Sequence, residues 1–435
     1  MTRLLYSLVV WLIQPFLRRK LLKRGQQEPG YLAAMDERFG HYTTAPCQMS
    51  DGLVWVHAVS LGETRTAAVL VARLRERLPG MRLLLTHGTA TGRAEGAKLL
   101  RVGDLQSWQP WDTPGAAARF LTHFKPRIGI LMETEIWPNL VAACQQQRVP
   151  LVLANARMSD KSMRQAQRLA RLSRPAFAAL TAVWAQTAAD AQRLAQLGAT
   201  VQGVFGNLKF DAAPNAAQLA TGRAWRQQAG RPVLMFASSR EGEEAALLKI
   251  LESNRPLAHV YYGRTAINNI ANEAQWLFVP RHPQRFDEVA ALIAQHGFTV
   301  SRRSSWSAGP PVQGPVIWLG DSLGEMALYY GLADVALLGG SFEPLGGQNL
   351  IEAAACACPV VMGPHTFNFA EAAELAEAAG AAMRVPDLQQ AVAAAQSLVS
   401  NLATHATMVH AATEFSNAHR GAVDKTANAV LALLR

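Results

Sequence analysis

The stretch Gly339-Gly340-Ser341-Phe342-Glu343-Pro344-Leu345-Gly346-Gly347-Gln348-Asn349-Leu350-Ile351-Glu352 follows an apolar run, 334–338, and leads into an alanine-rich segment, 349–357. The run reads as a buried parallel strand, and the alanine-rich segment as a helix that Pro359 stops before another strand over 360–362. A strand, a glycine loop and a helix N-terminus offer free backbone N–H groups to an anion. Glu352, one turn inside that helix, is placed to accept hydrogen bonds from paired sugar hydroxyls. The chemistry this pattern predicts is binding of a nucleotide sugar. The competing reading is a tight turn without a ligand.

Other polar groups follow apolar runs along the chain. Ser60-Leu61-Gly62-Glu63-Thr64 opens a helix after the run 53–58. A carboxylate there is stabilised as its anion, so Glu63 reads either as a base for a sugar hydroxyl or as a helix cap. Glu133 and Glu135, with Trp137 and Asn139, either orient an acceptor or cap the helix begun at Pro138. Asn155-Ala156-Arg157 reads equally as an anion contact or a cap. In the second half, Ser238-Ser239-Arg240 combines hydroxyls, backbone N–H groups and a guanidinium suited to phosphate or carboxylate. Pro280-Arg281-His282-Pro283 has its shape set by two prolines, and Gly320-Asp321-Ser322-Leu323-Gly324-Glu325 opens another helix. With the loop 346–352, these make four polar turns expected along one edge of one sheet.

The elements that must position these groups alternate strand and helix. Strands are predicted over 53–58, 81–86, 128–132, 151–154, 183–185 and 204–205, then over 233–237, 277–279, 298–300, 316–319, 335–338 and 360–362. This grammar predicts an α/β protein with doubly wound parallel sheets in two Rossmann-like halves. Ligands in such folds bind at the carboxyl ends of the strands, here in a cleft expected between the halves. A chain of 435 residues has room for two domains. Pro214 and the scarcity of strand signals over 207–232 put the boundary near 212, giving domains at 26–212 and 213–435 after an N-terminal segment, 1–25.

Half the residues are hydrophobic and only 17% are charged, as expected for a well-filled core. The net charge is +10, yet six basic residues, Arg3, Arg18, Arg19, Lys20, Lys23 and Arg24, precede the first acid. A basic excess concentrated there argues against a nucleic-acid-binding face. It brackets an apolar run, 4–17, that is short for a bilayer span of about 17–25 residues and lacks a small-residue cleavage site. Tyr6 and Trp11 followed by Arg-Arg-Lys suit anchoring on an anionic membrane, with the basic flank on the cytoplasmic side. A buried N-terminal helix is the other reading. Cys47, Cys144, Cys356 and Cys358 have neither zinc spacing nor an easy bridge, so no metal and no catalytic thiol are expected.

Taken in order, AVSLGET (58–64), METEIWPN (132–139), ANARMS (154–159), GNLKFD (206–211), SSREGEE (238–244), VPRHPQRF (279–286), GDSLGEM (320–326), GGSFEPLGGQNLIEAAA (339–355) and MGPHTFNF (362–369) resemble the 3-deoxy-D-manno-octulosonic acid (Kdo) transferases of lipopolysaccharide assembly. The resemblance covers nearly the whole chain. It implies a GT-B fold with an N-terminal membrane-anchoring helix and inverting, metal-independent transfer from CMP-Kdo to the lipid A precursor lipid IVA. That reaction belongs to the cytoplasmic face of the inner membrane, with no obligate protein partner. It implies Glu63 as general base, and CMP contacts at Pro280 and Arg281, at Leu323, Gly324 and Glu325, and at Asn349, Leu350, Ile351 and Glu352. The chain departs from the family pattern at Gln348, where histidine is usual, at Ser239-Arg240, and in a longer segment around 253–271 containing Tyr261-Tyr262-Gly263. Two alternatives share much of this pattern: another GT-B nucleotide-sugar enzyme, transferase or epimerase, and an inactive membrane-bound scaffold.

Overall fold

The structure is a computed structural model that describes residues 2–48, 52–253, 274–311 and 316–434. Residues 254–271, most of the longer segment noted above, lie outside the described residues. The chain forms two compact units, residues 1–211 with 420–435, and residues 212–419.

The first unit is built on β1 (Leu53–His57), β2 (Arg82–His87), β3 (Leu105–Trp108), β4 (Ile128–Met132), β5 (Leu151–Ala156), β6 (Ala182–Ala185) and β7 (Val201–Val204). They form one sheet in the order β3-β2-β1-β4-β5-β6-β7, and every pair in it is parallel. Leu53 and Trp55 turn into one core, and Val54 and Val56 into the core on the opposite face. Burial on both faces is why this strand is an unbroken apolar run instead of an alternating one. The connections leave β1 toward β2 on one side and resume with β4 on the other. The carboxyl ends of β1 and β4 therefore flank the point where the winding reverses, which is where doubly wound sheets bind ligands.

The second unit repeats the plan with β8 (Val233–Ser239), β9 (Gln275–Pro280), β10 (Thr299–Arg302), β11 (Val316–Leu319), β12 (Val335–Leu338), β13 (Val360–Met362) and β14 (Ala382–Arg384). The order is β10-β11-β9-β8-β12-β13-β14, again with parallel pairs. Here the winding reverses between β8 and β12. The four polar turns expected on one edge follow β8, β9, β11 and β12, which are four consecutive strands of this sheet.

Three expectations need correction. The strands β3 and β14 were not expected; both are edge strands, and Leu105-Gln-Ser-Trp and Ala382-Met-Arg carry little β-branched character. The strand expected at 204–205 is Val201–Val204, whose residues are alternately half-buried and exposed, as suits an edge. The second domain does not run to the C-terminus. The helix Ala422–Leu434 returns to the first unit, where Val423, Ala427 and Val430 join the core containing Leu70, Val71 and Leu74. Asp211 fixes its start by accepting hydrogen bonds from Gly421 N at 2.6 Å and Val423 N at 2.8 Å. The amphipathic pattern of that helix says that it packs but not on which core.

The N-terminal helix α1 spans Arg3–Gln27. Its inner seam carries Val10 and Leu21, and Ser7 Oγ donates to Asn139 Oδ1 at 2.9 Å. Its outer face is apolar and exposed: Leu4 is 83% accessible, Trp11 62% and Phe16 74%. A wholly buried helix is therefore not what forms. Among the described residues no helix is long and apolar enough to cross a membrane.

Candidate active site

Glu63 stands in the first turn of α2 (Leu61–Arg77), directly after β1. Ser60 caps this helix and donates its hydroxyl to Glu63 Oε1 at 2.9 Å, while Val59 N donates to Oε2 at 2.9 Å. The carboxylate is thus aimed by its own turn. The sequence favoured a stabilised anion, but the net effect on Glu63 is a raised pKa. Burial is the largest cause, and the nearby Glu133 charge adds to it. Hydrogen bonds from Val59 and Ser60 and the positive charge of Lys209 oppose it.

The second carboxylate of this edge, Glu133, follows β4. Its backbone is left-handed at φ 59°, a conformation that a residue with a side chain adopts only when its surroundings impose it. Those surroundings are β5, because Glu133 N donates to Ala154 O at 3.0 Å and Arg157 N donates back to Glu133 O at 3.2 Å. Glu133 Oε1 pairs with Lys209 Nζ at 3.2 Å. Lys209 sits in the short helix Leu208–Asp211, held in place by Asn155, whose Oδ1 accepts from Leu208 N at 3.0 Å. Asn155 therefore positions a lysine, which neither sequence reading of it contained. Glu135 accepts from Trp137 Nε1 at 3.0 Å. Burial, with the charges of Glu63 and Glu133, pushes its carboxyl up to about 7. Three carboxylates and one lysine thus gather where the winding of this sheet reverses. Lys209 was visible in the sequence only inside a motif, because nothing local shows that it returns to β4.

On the second unit, the turns after β8 and β12 are tied together by Glu243, a buried residue the sequence reading left unassigned. Its carboxylate accepts from Arg240 N at 2.9 Å and from Gly340 N at 2.9 and 2.8 Å, one contact to each oxygen. Burial raises its pKa, and these backbone donors, with one from Phe342, pull it back. The close approach needs glycine at 339, where a Cβ would lie 2.4 Å from Ser238 O. The N–H groups of Arg240 and Gly340, expected to face a ligand anion, are thus turned to an internal carboxylate.

The other sequence candidates fall around this knot. Ser238 takes a left-handed backbone at φ 55°, and Ser239 is buried with its hydroxyl donated to Glu244 at 2.8 Å. Glu244 also holds Arg285 at 2.8 Å. Arg281 follows β9, its N–H donating to Ser239 O at 3.0 Å. Burial is the largest cause of the lowered pKa of His282; Arg240, Arg281 and Arg285 add to it, and Glu241, which pairs with Arg240 at 3.0 Å, opposes it. Pro280 ends β9. Leu323 is 73% exposed beside Gly324, and Glu325 pairs with Arg303 at 2.9 Å. Asn349 caps the helix Leu350–Ala355, accepting from Ile351 N at 3.2 Å. Leu350 and Ile351 are buried, so they can offer a ligand only backbone. Glu352 lies in the first turn, near enough to Tyr330 for its charge to act on that phenol. All four cysteines are buried free thiols, and burial pushes Cys144 and Cys356 up to about 12. Among the described residues no group of three or more His, Cys, Asp or Glu is arranged to hold a metal.

Residues 33–212 match the family model of 3-deoxy-D-manno-octulosonic-acid transferase (kdotransferase). The 3-deoxy-D-manno-octulosonic acid transferase of Bordetella pertussis is 46% identical over 428 residues, 97% of this chain and 95% of that protein. The enzyme of the same name from Haemophilus influenzae is 32% identical over 377 residues, 85% of this chain and 84% of its own length. In fold, the chain resembles a glycosyltransferase from Rickettsia africae ESF-5 with a TM-score of 0.56 at 13% identity, covering 88% of this chain and 98% of that one. With a seven-stranded parallel sheet in each of its two units and identity at this level along almost its full length, the chain is a glycosyltransferase of the 3-deoxy-D-manno-octulosonic acid transferase family.

Proposed function

We propose that the chain transfers Kdo from CMP-Kdo to lipid IVA with inversion at the anomeric carbon, Glu63 acting as general base. The observation that carries this reading is the Glu63 carboxylate, held by Ser60 and Val59 at the carboxyl end of the strand where its sheet reverses. An acceptor hydroxyl loses its proton to Glu63 as its oxygen bonds to the anomeric carbon of Kdo, on the face opposite the phosphate. The bond from that carbon to the phosphate oxygen breaks, and CMP leaves with the electron pair. Arg240 and Arg281, both near His282, would offset the charge that grows on the phosphate. CMP is a good leaving group when its phosphate is so held, which supports transfer without a metal. Contacts to CMP are proposed at Pro280, Arg281, Leu323 to Glu325 and Asn349 to Glu352, with Glu352 on the ribose.

The test is transfer to lipid IVA in EDTA, with CMP-Kdo generated in situ and products resolved by mass. A product heavier by one or more Kdo units is expected, and the mass counts the sugars added. No product from folded protein would sink the donor and acceptor assignment.

The exposed face of α1 supports attachment to the cytoplasmic face of the inner membrane, lying on the bilayer rather than crossing it. Burying one large apolar side chain contributes about 1.5–3 kcal/mol. Leu12→Glu with Phe16→Glu is therefore expected to weaken vesicle binding by at least about tenfold, read by flotation. Unchanged flotation would remove α1 as the attachment.

A further inference from the structure

Beside the exposed face of α1, the first unit has an open cavity of about 380 Å³. Gln14 and Arg18 line it from the helix, and Asp36, Phe39, His41 and Arg119 line it from the body of the unit. Its chemistry is cationic over an aromatic floor. Arg18 lies 5.6 Å from the centre of the Phe39 ring and pairs with Asp36 at 3.3 Å, leaving Arg119 without a carboxylate partner among the ion pairs described. Arg119 is oriented by backbone alone, with Nε donating to Gly40 O at 3.2 Å and Nη2 to Phe39 O at 2.6 Å. Backbone carbonyls fix a guanidinium without cancelling its charge, so the rest of its fork is preorganised for an anion. Leu12 and Phe16, each two positions before Gln14 and Arg18 and so on the opposite side of the helix, are exposed on the outer face. With those side chains at the level of the acyl chains, the cavity lies at the level of lipid headgroups.

We propose that this cavity is a headgroup site that takes the phosphodiester of an anionic bilayer phospholipid, Arg119 and Arg18 binding its oxygens. The proposal rests on the membrane attachment argued above and adds to it a defined pocket. Diffuse attraction by Arg19, Lys20 and Lys23 depends on charge alone. A pocket depends also on shape.

The experiment compares flotation on phosphatidylcholine vesicles with vesicles containing about one-third phosphatidylglycerol. Wild type, Arg119→Gln, Lys20→Gln and Gln14→Trp are used, each checked for folding by circular dichroism and melting temperature. Loss of one diffuse basic contact costs about fivefold, so Lys20→Gln sets that scale. Arg119→Gln is expected to lose more than Lys20→Gln on anionic vesicles and nothing on neutral ones. Gln14→Trp, which fills the cavity and changes no charge, is expected to lose the anionic preference as well. Saturable binding of monomeric short-chain phosphatidylglycerol, with no competition from equimolar inorganic phosphate, assigns the ligand to the lipid. Equal losses for Arg119→Gln and Lys20→Gln, or an unaltered Gln14→Trp, overturn the pocket while leaving membrane attachment standing. Failure of wild type to float on any vesicle overturns the attachment itself. A raised KM for lipid IVA in detergent, with vesicle binding intact, overturns the phospholipid assignment in favour of the acceptor.

Discussion

Glu63→Gln is expected to lower kcat by about 10²–10⁴-fold, the usual contribution of a general base, and to leave donor binding unchanged. Glutamine keeps the shape of the side chain, and its amide oxygen can still accept from Val59 N or Ser60 Oγ, so the cap survives. What is lost is the proton acceptor. Tryptophan fluorescence or calorimetry with CMP separates the outcomes, because a variant that binds CMP normally but does not turn over has lost chemistry alone. Near-normal turnover would return Glu63 to being only a helix cap. The pH profile supplies a second signature. Burial and the charge of Glu133 raise the pKa of Glu63, and a base works only when ionised. Activity of the wild type should therefore fall as pH drops through a value above the ordinary carboxylate range. Glu135, pushed up to about 7, is coupled to Glu63 by like charge. That like charge raises Glu135, whereas Glu63 is raised by Glu133, so Glu133→Gln is expected to move the acid limb of kcat/KM to lower pH. A limb that stays in place would uncouple Glu63 from Glu133.

Much of this architecture is legible without coordinates because its local signals and its tertiary environment agree. The run 128–132 is apolar throughout since β4 is covered on both faces, and each polar turn after such a run must lie on the carboxyl edge of a parallel sheet. Where a residue's partner is distant in the chain, the local signal fails. Lys209 meets Glu133 across 76 positions, and Glu243 meets Gly340 across 97. In a single sequence neither partner carries a mark of the other. The last helix belongs to the same class of miss, since its fixing residue, Asp211, lies 210 positions before Gly421. Edge strands fail for a different reason: β14 has three residues and one buried side chain, too little apolar pattern to separate from a loop.

Glu243 also leads to the second large expected effect, Glu243→Gln raising KM for CMP-Kdo by about 10–100-fold with a much smaller change in KM for the lipid acceptor. The carboxylate receives N–H groups from the turn after β8 and the turn after β12, so one side chain sets the spacing of two loops at the reversal of the sheet. An amide offers one acceptor oxygen where the carboxylate offered two, and its NH₂ group faces a backbone donor. Each buried N–H left without an acceptor costs about 1–3 kcal/mol. That cost is relieved by letting the two turns separate, and Arg240, carried on the first of them, then moves away from its proposed contact with the donor phosphate. A loss of stability alone would lower the folded fraction and reduce turnover with every substrate alike, whereas loss of spacing falls on donor KM. Wild type carries its own version of this experiment. As pH falls through the raised pKa of Glu243, the carboxyl gains a proton and loses acceptor capacity, so donor KM is expected to rise toward acid. In Glu243→Gln that dependence should vanish, because nothing remains there to titrate. Steady-state kinetics at several pH values, with the melting temperature followed in parallel, decides between these outcomes. Equal effects on both KM values, or an unchanged pH dependence in the variant, would leave Glu243 a packing residue with no part in donor binding.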